Sequence, residues 1–451
     1  MKKRSNFSSR LGFVLAAAGS AVGLGNIWRF PYLAAKYGGG TFLLIYIILV
    51  VTFGFSLMIA EIALGRKTGL SAIGAFKSLD KRFGFLGILA SAVPIIIFPY
   101  YSVIGGWVMK YGTEFAIHGV KAASTDTYFS NFIADTPQAL GFFLLFMGFT
   151  AVIVGFGVEK GIEKVSKFMM PVLVILTIII AVYVLTIPGA MDGLKYYFTP
   201  HMSDVSAKTI LAAMGQMFYS MSLAMGIMIT YGSYMKKDNP LEASVRQIEW
   251  FDTGIALLAG LMIVPAVYAF SGGDESAMGA GPGLMFITLP KVFATMHAGR
   301  FVGFLFFLMV FFAALTSAIS LMETIVSIFR DKFGWNRTKA CVIVTVISLA
   351  LGVPSCLGFG ILGFITAGGM SILDMMDFAS NSVLMPIVAL VTSVFIGFII
   401  TPKEIINEVE LGGHVFKSKK LFTIMIKYIA PVFLILILLS SVASALGIFK
   451  I

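Results

Sequence analysis

The sequence predicts an all-α polytopic membrane protein of eleven spanning helices, and three observations carry that prediction. Of its 451 residues, 58% are hydrophobic and only 12% are charged, whereas a water-soluble domain carries about 25% charged residues. Apolar stretches near the ~20 residues that a spanning helix needs fill nearly the whole chain. The alternating segments of about 10 residues that mark a membrane β-barrel are missing from the sequence.

The expected spans fall at 11–36, 41–65, 85–117, 139–157, 166–187, 208–235, 243–270, 300–330, 339–354, 371–400 and 421–448. Short basic segments separate some of them, such as Gly65-Arg66-Lys67-Thr68-Gly69 and Lys236-Lys237-Asp238-Asn239-Pro240. Longer segments at 118–138, 188–207 and 271–299 hold Pro, Gly, Ser and Thr and read as outer loops.

The net charge of +11 follows this topology. Cytoplasmic loops collect Lys and Arg. With the N-terminus inside, only Lys36, Lys110, Lys121, Lys195, Lys208, Lys291, Arg300 and Lys450 fall outside. Arg29 lies within the membrane, and the remaining basic residues fall on the inner side. Nucleic-acid binding is therefore not expected. The topology implies a multi-pass protein of a bacterial cytoplasmic (inner) membrane, with its N-terminus cytoplasmic and its C-terminus outside. The start lacks a small-residue cleavage site, so no signal peptide is expected. Short loops and the lack of an outer-loop cysteine pair also suggest a prokaryote. Cys341 and Cys356 read as core thiols, since two cysteines make no disulfide framework.

Two segments are abnormal as spanning helices. The first contains Gly19-Ser20-Ala21-Val22-Gly23-Leu24-Gly25-Asn26 and the sixth Gly215-Gln216-Met217-Phe218-Tyr219-Ser220-Met221-Ser222-Leu223-Ala224-Met225-Gly226. Glycine costs about 1 kcal/mol against alanine in a helix interior. Irregular backbone persists at membrane depth only where protein or a water-lined cavity satisfies it. The two segments lie five spans apart, so their orientations are opposite. Interrupted segments at corresponding positions of two inverted halves point to a transporter's binding site.

The run Arg10-Leu11-Gly12…Gly19-Ser20-Ala21-Val22-Gly23-Leu24-Gly25-Asn26-Ile27-Trp28-Arg29-Phe30-Pro31-Tyr32, followed by Gly38-Gly39-Gly40, closely resembles the first-helix signature of the neurotransmitter:sodium symporters. The resemblance continues through Gly215-Gln216, Ile229-Thr230-Tyr231-Gly232-Ser233-Tyr234, Phe286-Ile287-Thr288-Leu289-Pro290 and Phe312-Ala313-Ala314-Leu315-Thr316-Ser317. It implies a bacterial amino-acid transporter of the LeuT-type fold, with a 5+5 inverted repeat and discontinuous helices 1 and 6. The implied organisation is an N-terminal segment 1–10, a first repeat 11–187, a second repeat 208–400 and an additional helix 421–448.

The same resemblance implies the site residues. A first sodium ion would meet the Ala21 carbonyl, Asn26, Ser220 and Asp252. A second would meet the carbonyls of Gly19, Val22 and Ala313 with the hydroxyls of Thr316 and Ser317. The substrate carboxylate would meet the backbone N–H groups of Leu24 and Gly25, where a helix N-terminus favours negative charge, and the Tyr101 hydroxyl. The side-chain pocket would use Ile97, Tyr101, Tyr219, Ser222, Met225, Ala318 and Leu321. It suits an apolar side chain, and Met225 adapts to different shapes. Monoamine-transporting relatives carry aspartate where this chain has Gly23, which favours a zwitterionic α-amino acid. Hydrophobic amino acids, aromatic ones included, are the expected substrates.

Charges inside spans are functional candidates. Arg29 and Asp377 resemble an outer gate pair, and Arg4 and Asp331 an inner pair with Phe7, Ser233 and Tyr234 around it. Glu61 reads as a structural hydrogen-bonding acid. Gly161 and Pro171 resemble a motif for unwinding the fifth span and admitting water to the second sodium site. Chloride-dependent relatives have asparagine at position 252. Asp252 would put a carboxylate beside a chloride-like pocket of Tyr46, Gln216 and Ser220, so transport is expected to be chloride-independent. The expected partners are the amino acid, two sodium ions and the bilayer, with no obligate protein partner. A channel would lack two closing gates, and a non-transporting sensor would need a signalling domain. An intramembrane enzyme is not expected, because His118, His201, His297 and His414 all fall in loops and no metalloprotease or serine-nucleophile motif is present.

Overall fold

In a computed structural model, which describes residues 6–273 and 281–445, the described chain is almost entirely helical. Among the described residues nine helices are long and apolar enough to span a membrane: Gly40–Thr68, Lys81–Ile117, Thr136–Gly155, Val158–Leu185, Leu241–Ser271, Gly299–Phe333, Arg337–Leu357, Ile372–Ile399 and Lys419–Ser440. The pair Arg10–Ala21 and Gly25–Lys36 forms a tenth span bent by 55°. Between the fifth and seventh spans lie Ala207–Ser220 and Ile227–Gly232. Neither is long enough to cross alone, and together they form the interrupted sixth span.

Several expected boundaries move, the third span's start from 85 to Lys81 among them. The fifth span starts at Val158 rather than 166, because Glu159, Lys160 and Lys164 are taken into its first turns at the basic end of the bundle. The ninth runs to Leu357 and carries Pro354 inside it. The loops also hold short helices: Val120–Ala123 and Tyr128–Ala134, Ala190–Phe198, and Leu284–Thr295. Their amphipathic runs are too short to register as spans, yet they give buried backbone groups internal partners.

Packing separates the spans into an enclosed set and a lipid-facing set. All of Gly12–Ala21 is buried, as are the side chains around the sixth-span break. Large apolar side chains stay exposed on the second (Ile47, Ile48), fourth (Leu144, Leu145), fifth (Ile178, Ile179), ninth (Val342, Val346) and eleventh (Leu436) spans. In water so much exposed apolar surface would drive association; here it suits contact with acyl chains. Cys341 and Cys356 are buried free thiols, as the sequence implied.

Candidate functional site

The first span breaks because its backbone finds other partners. The Val22 N–H closes the first half on the Ala18 carbonyl, and Val22 itself turns extended, with φ −69° and ψ 100°. Asn26 then folds back so that its Oδ1 accepts the Gly23 N–H at 3.0 Å. Neither flanking glycine has room for a side chain. A Cβ on Gly23 would lie 2.8 Å from Ser317 Oγ, and one on Gly25 would lie 2.6 Å from the Tyr219 ring.

The sixth-span break is strained. Ser222 and Ala224 take φ values of 52° and 58°, and Gly226 takes 70°. A non-glycine residue in this region costs about 1–2 kcal/mol. Two hydrogen bonds hold it: Ser222 Oγ donates to the Ser20 carbonyl at 2.9 Å, and the Ala224 N–H donates to Glu61 Oε1 at 2.7 Å. Glu61 is thus the structural acid that the sequence suggested.

Between the breaks lies a cavity with about 380 Å³ of empty space. One end is polar, with Ser20, Ala21, Gly23, Leu24, Gly25 and Asn26; the other holds Ile97, Met225, Ile227 and Leu321. Tyr101, Tyr219, Ser220, Ser222 and Ser317 complete it. Among the expected pocket residues Ala318 does not line the cavity; it is buried in helix packing. Ser20 and Ile227 were not anticipated. The signal lay in their position, each inside or beside a glycine-marked break. The Leu24 N–H reaches the Tyr101 hydroxyl at 3.4 Å.

Beside the cavity, Asn26 Nδ2 donates to Ser220 Oγ at 2.9 Å and to Asp252 Oδ1 at 2.7 Å. Ser220 Oγ donates to the Asp252 carboxylate at 3.0 Å. Gln216 Nε2 donates to the Gly25 carbonyl at 3.0 Å, while its Oε1 is buried without a hydrogen-bond partner among the described residues. Tyr46 faces Ser220 and Asp252 without a hydrogen bond of good geometry.

On the other side of the first-span break, Ser317 Oγ donates towards the carbonyls of Ser20 at 3.0 Å, Val22 at 3.3 Å and Gly19 at 3.4 Å. The Thr316 hydroxyl instead bonds back along its own helix, to Phe312 at 2.9 Å and Ala313 at 3.1 Å. Of the five residues of the expected second ion site, Ser317 joins the eighth span to the Gly19 and Val22 carbonyls, while Thr316 and Ala313 are bonded within their own helix.

Above the cavity a vestibule is lined by Arg29, Asp377, Trp28 and Phe218, among others. Among the described residues Tyr219 alone lines both spaces, so its ring is the partition. The Arg29 guanidinium lies 5.6 Å from the centre of that ring. Arg29 and Asp377 share the vestibule but make no direct ion pair; Asp377 Oδ1 instead accepts from the Tyr100 hydroxyl at 2.9 Å and from Asn381 Nδ2 at 2.6 Å. Two neutral donors already occupy Asp377 Oδ1, and the guanidinium rests on an aromatic face.

Arg4, the expected inner gate cation, lies outside the described residues. Its expected partner Asp331 accepts from the Ser71 N–H at 2.7 Å. Phe7 is buried against Phe13, Tyr231 and Tyr234, and its N–H donates to the Tyr234 carbonyl at 3.1 Å. The Tyr234 hydroxyl donates to Glu323 at 2.7 Å, and Arg337 pairs with that same acid. The sequence reading missed Glu323 and Arg337; only folding brings the eighth span, the ninth span and Tyr234 together. Gly161 sits in a wide π turn, Val158–Glu163, and Pro171 in the helix that continues it, so the fifth span is wound throughout here.

Two facing interrupted helices around a cavity are the arrangement of a secondary transporter. Residues 4–126 and 133–448 match the sodium:neurotransmitter symporter family, and the chain belongs to that family. It is a multi-pass, sodium-coupled transporter and not an enzyme. An uncharacterized sodium-dependent transporter of Bacillus subtilis (strain 168) is 36% identical over 447 residues, covering 97% of this chain and 98% of that one. The human sodium- and chloride-dependent GABA transporter 2 is 24% identical over 464 residues, covering 90% and 75%. The crystal structure of MhsT in complex with L-phenylalanine superposes with a TM-score of 0.87 at 38% identity, covering 97% of this chain and 100% of that one. The fold is accordingly the LeuT type, with discontinuous first and sixth helices and one helix beyond the ten of the two repeats.

Proposed function

We propose that the chain imports hydrophobic L-amino acids, aromatic ones included, by sodium symport with two ions and without chloride. The observation that carries this reading is the two-ended cavity at the first-span break. Its polar end offers the Leu24 and Gly25 amides and the Tyr101 hydroxyl to a carboxylate, and its other end offers Ile97, Met225, Ile227 and Leu321 to an apolar side chain. Gly23 leaves no space for a residue that would pair with an amine in place of a carboxylate. MhsT's complex with L-phenylalanine is consistent with an aromatic side chain in a cavity of this type.

Asp252 supports the ion reading. It is fully buried, its side-chain donors are the neutral Asn26 and Ser220, and no lysine or arginine pairs with it among the described residues. A buried carboxylate needs a countercharge, and a sodium co-substrate next to Ala21 and Asn26 supplies one. The same carboxylate gives the pocket of Tyr46, Gln216 and Ser220 its negative charge, taking the role of chloride. The second ion would sit where the Gly19, Val22 and Ala313 carbonyls meet Thr316 and Ser317.

In the cycle, substrate enters from the vestibule past Tyr219 while Phe7 seals the opposite side. Closure of Tyr219 and Arg29 towards Asp377 encloses it. Release of Phe7 then opens the inner route. Uptake of labelled leucine and phenylalanine into proteoliposomes tests the reading. Accumulation should require an inward sodium gradient and persist when gluconate replaces chloride. Binding without accumulation would favour a sensor, and gradient-independent flux a channel.

A further inference from the structure

At the basic end of the bundle a cleft with about 1030 Å³ of empty space opens between the starts of the first and seventh spans and the segment 413–418 that leads to the eleventh. It lies away from the transport cavity and shares no lining residue with it. Three cations face it: Arg10, Arg246 and Lys417. Among the described residues Arg10 hydrogen-bonds only neutral groups, Ser244 Oγ at 3.2 Å and Gln247 Oε1 at 3.0 Å. Lys417 has no acidic side chain paired with its ammonium among the described residues. Among the described residues the one carboxylate lining the cleft, Glu242, is already engaged, accepting the N–H groups of Lys417 at 2.9 Å and Ser418 at 3.2 Å. Arg246 is held in place by Glu249 at 3.1 Å and by the Phe55 ring at 3.6 Å.

The cleft also continues onto acyl-chain surface. Gln247 lines it, and one turn further along the same helix face Trp250 is 74% exposed. Beyond Trp250, a Cβ on Gly254 would meet nothing within 4 Å, so the face stays open. Leu11, next to Arg10, is 58% exposed, and Val415, next to the cleft's Lys417, is 74% exposed. Surplus positive charge that leads into an apolar, tryptophan-marked stripe matches a ligand with an anionic head and an apolar tail. Basic pockets between spanning helices on the cytoplasmic side hold such headgroups, and tryptophan favours the membrane interface.

We propose that this cleft binds the phosphate headgroup of an anionic phospholipid, with Arg10 and Lys417 on the phosphate and Trp250 along the acyl chains. The site tethers the start of the broken first span to the seventh span and to the loop 413–418. A bound lipid therefore stabilises the arrangement in which the first span's inner half is packed.

Thermal unfolding of the full-length protein in neutral detergent tests this. Phosphatidylglycerol, phosphatidylcholine, inorganic phosphate and glycerol phosphate would each be titrated. Phosphatidylglycerol should raise the unfolding temperature at concentrations where phosphatidylcholine and both soluble phosphates do not. The Arg10→Gln/Lys417→Gln variant should weaken apparent affinity for phosphatidylglycerol by about fivefold per cation removed. Ala243→Glu adds an acid at an exposed position on the cleft wall without touching the existing contacts. It should remove the preference for phosphatidylglycerol, while Ala243→Gln keeps it; this pair decides the matter if the double variant is unstable. Equal stabilisation by both lipids, an equal effect of soluble phosphate, or an undiminished response of Ala243→Glu would each overturn the proposal.

Discussion

Asn26 and Asp252, separated by 226 residues in sequence, meet at 2.7 Å beside the break in the first span. One amide thereby serves two structures. Its oxygen caps the Gly23 N–H that the break leaves free, and its nitrogen fixes the buried carboxylate. Break and charge are positioned by the same side chain, which ties the cavity to the buried carboxylate next to it.

The first prediction concerns that carboxylate. Asp252→Asn removes the negative charge while keeping the shape, so Asn26 and Ser220 lose a charged acceptor. A hydrogen bond to a charged group contributes about 1.5–3 kcal/mol. Uptake in gluconate should fall about tenfold or more, and added chloride should restore part of it. Parallel uptake assays in the two anions measure this.

Ser317 is the hydroxyl that crosses between the eighth span and the broken first span. Ser317→Ala should raise the sodium concentration for half-maximal uptake by about tenfold, the equivalent of about 1.4 kcal/mol. Thr316→Ala should have a similar effect only if the Thr316 hydroxyl leaves its bond within the helix to meet the ion. Sodium titrations of both variants separate the two roles.

Gly23 faces Ser317 and Tyr101 closely enough that a methyl group must displace one of them. Overpacking of this kind costs about 1–3 kcal/mol. Gly23→Ala should therefore reduce uptake about tenfold with little loss of expression, and Gly23→Asp should abolish uptake of zwitterionic substrates. Surface expression measured beside uptake distinguishes this from misfolding.

Glu61 holds the strained sixth-span break through the Ala224 N–H. Glu61→Leu leaves that amide buried without a partner, at a cost of about 1–3 kcal/mol. Glu61→Gln keeps an acceptor oxygen and should stay close to the parent protein. Unfolding temperatures should rank parent, Gln and Leu in that order.

Tyr219 separates the cavity from the vestibule. Tyr219→Ala should join the two spaces and speed release of bound amino acid several-fold, while Tyr219→Phe keeps the partition. Dissociation of labelled ligand from the purified protein reads this directly.

Much of the fold was legible in the chain because its causes are local. Long apolar runs need no partner to be recognised, and glycines at Gly23, Gly25 and Gly226 mark where a helix yields. Most of the cavity lining was also legible, since it clusters at those breaks and at positions that resemble the symporter signature. Ala318, which the resemblance placed in the pocket, does not line the cavity, because Ser317 and Leu321 carry the face of the eighth span that meets it. Ser20 and Ile227 were passed over although each lies inside or beside a glycine-marked break.

The sequence by itself determined the membrane class, the two interruptions, the family and the absence of a side chain at Gly23, all of which follow from composition, spacing or a contiguous run of residues. Only the tertiary structure decided that Asn26 and Ser220 clasp Asp252, that Ser317 rather than Thr316 reaches the first span, and that Arg29 rests on Tyr219 while Asp377 binds Tyr100 and Asn381. The physical reason is that a helix fixes its own hydrogen bonds within one turn, whereas a broken helix must find its partners on other spans.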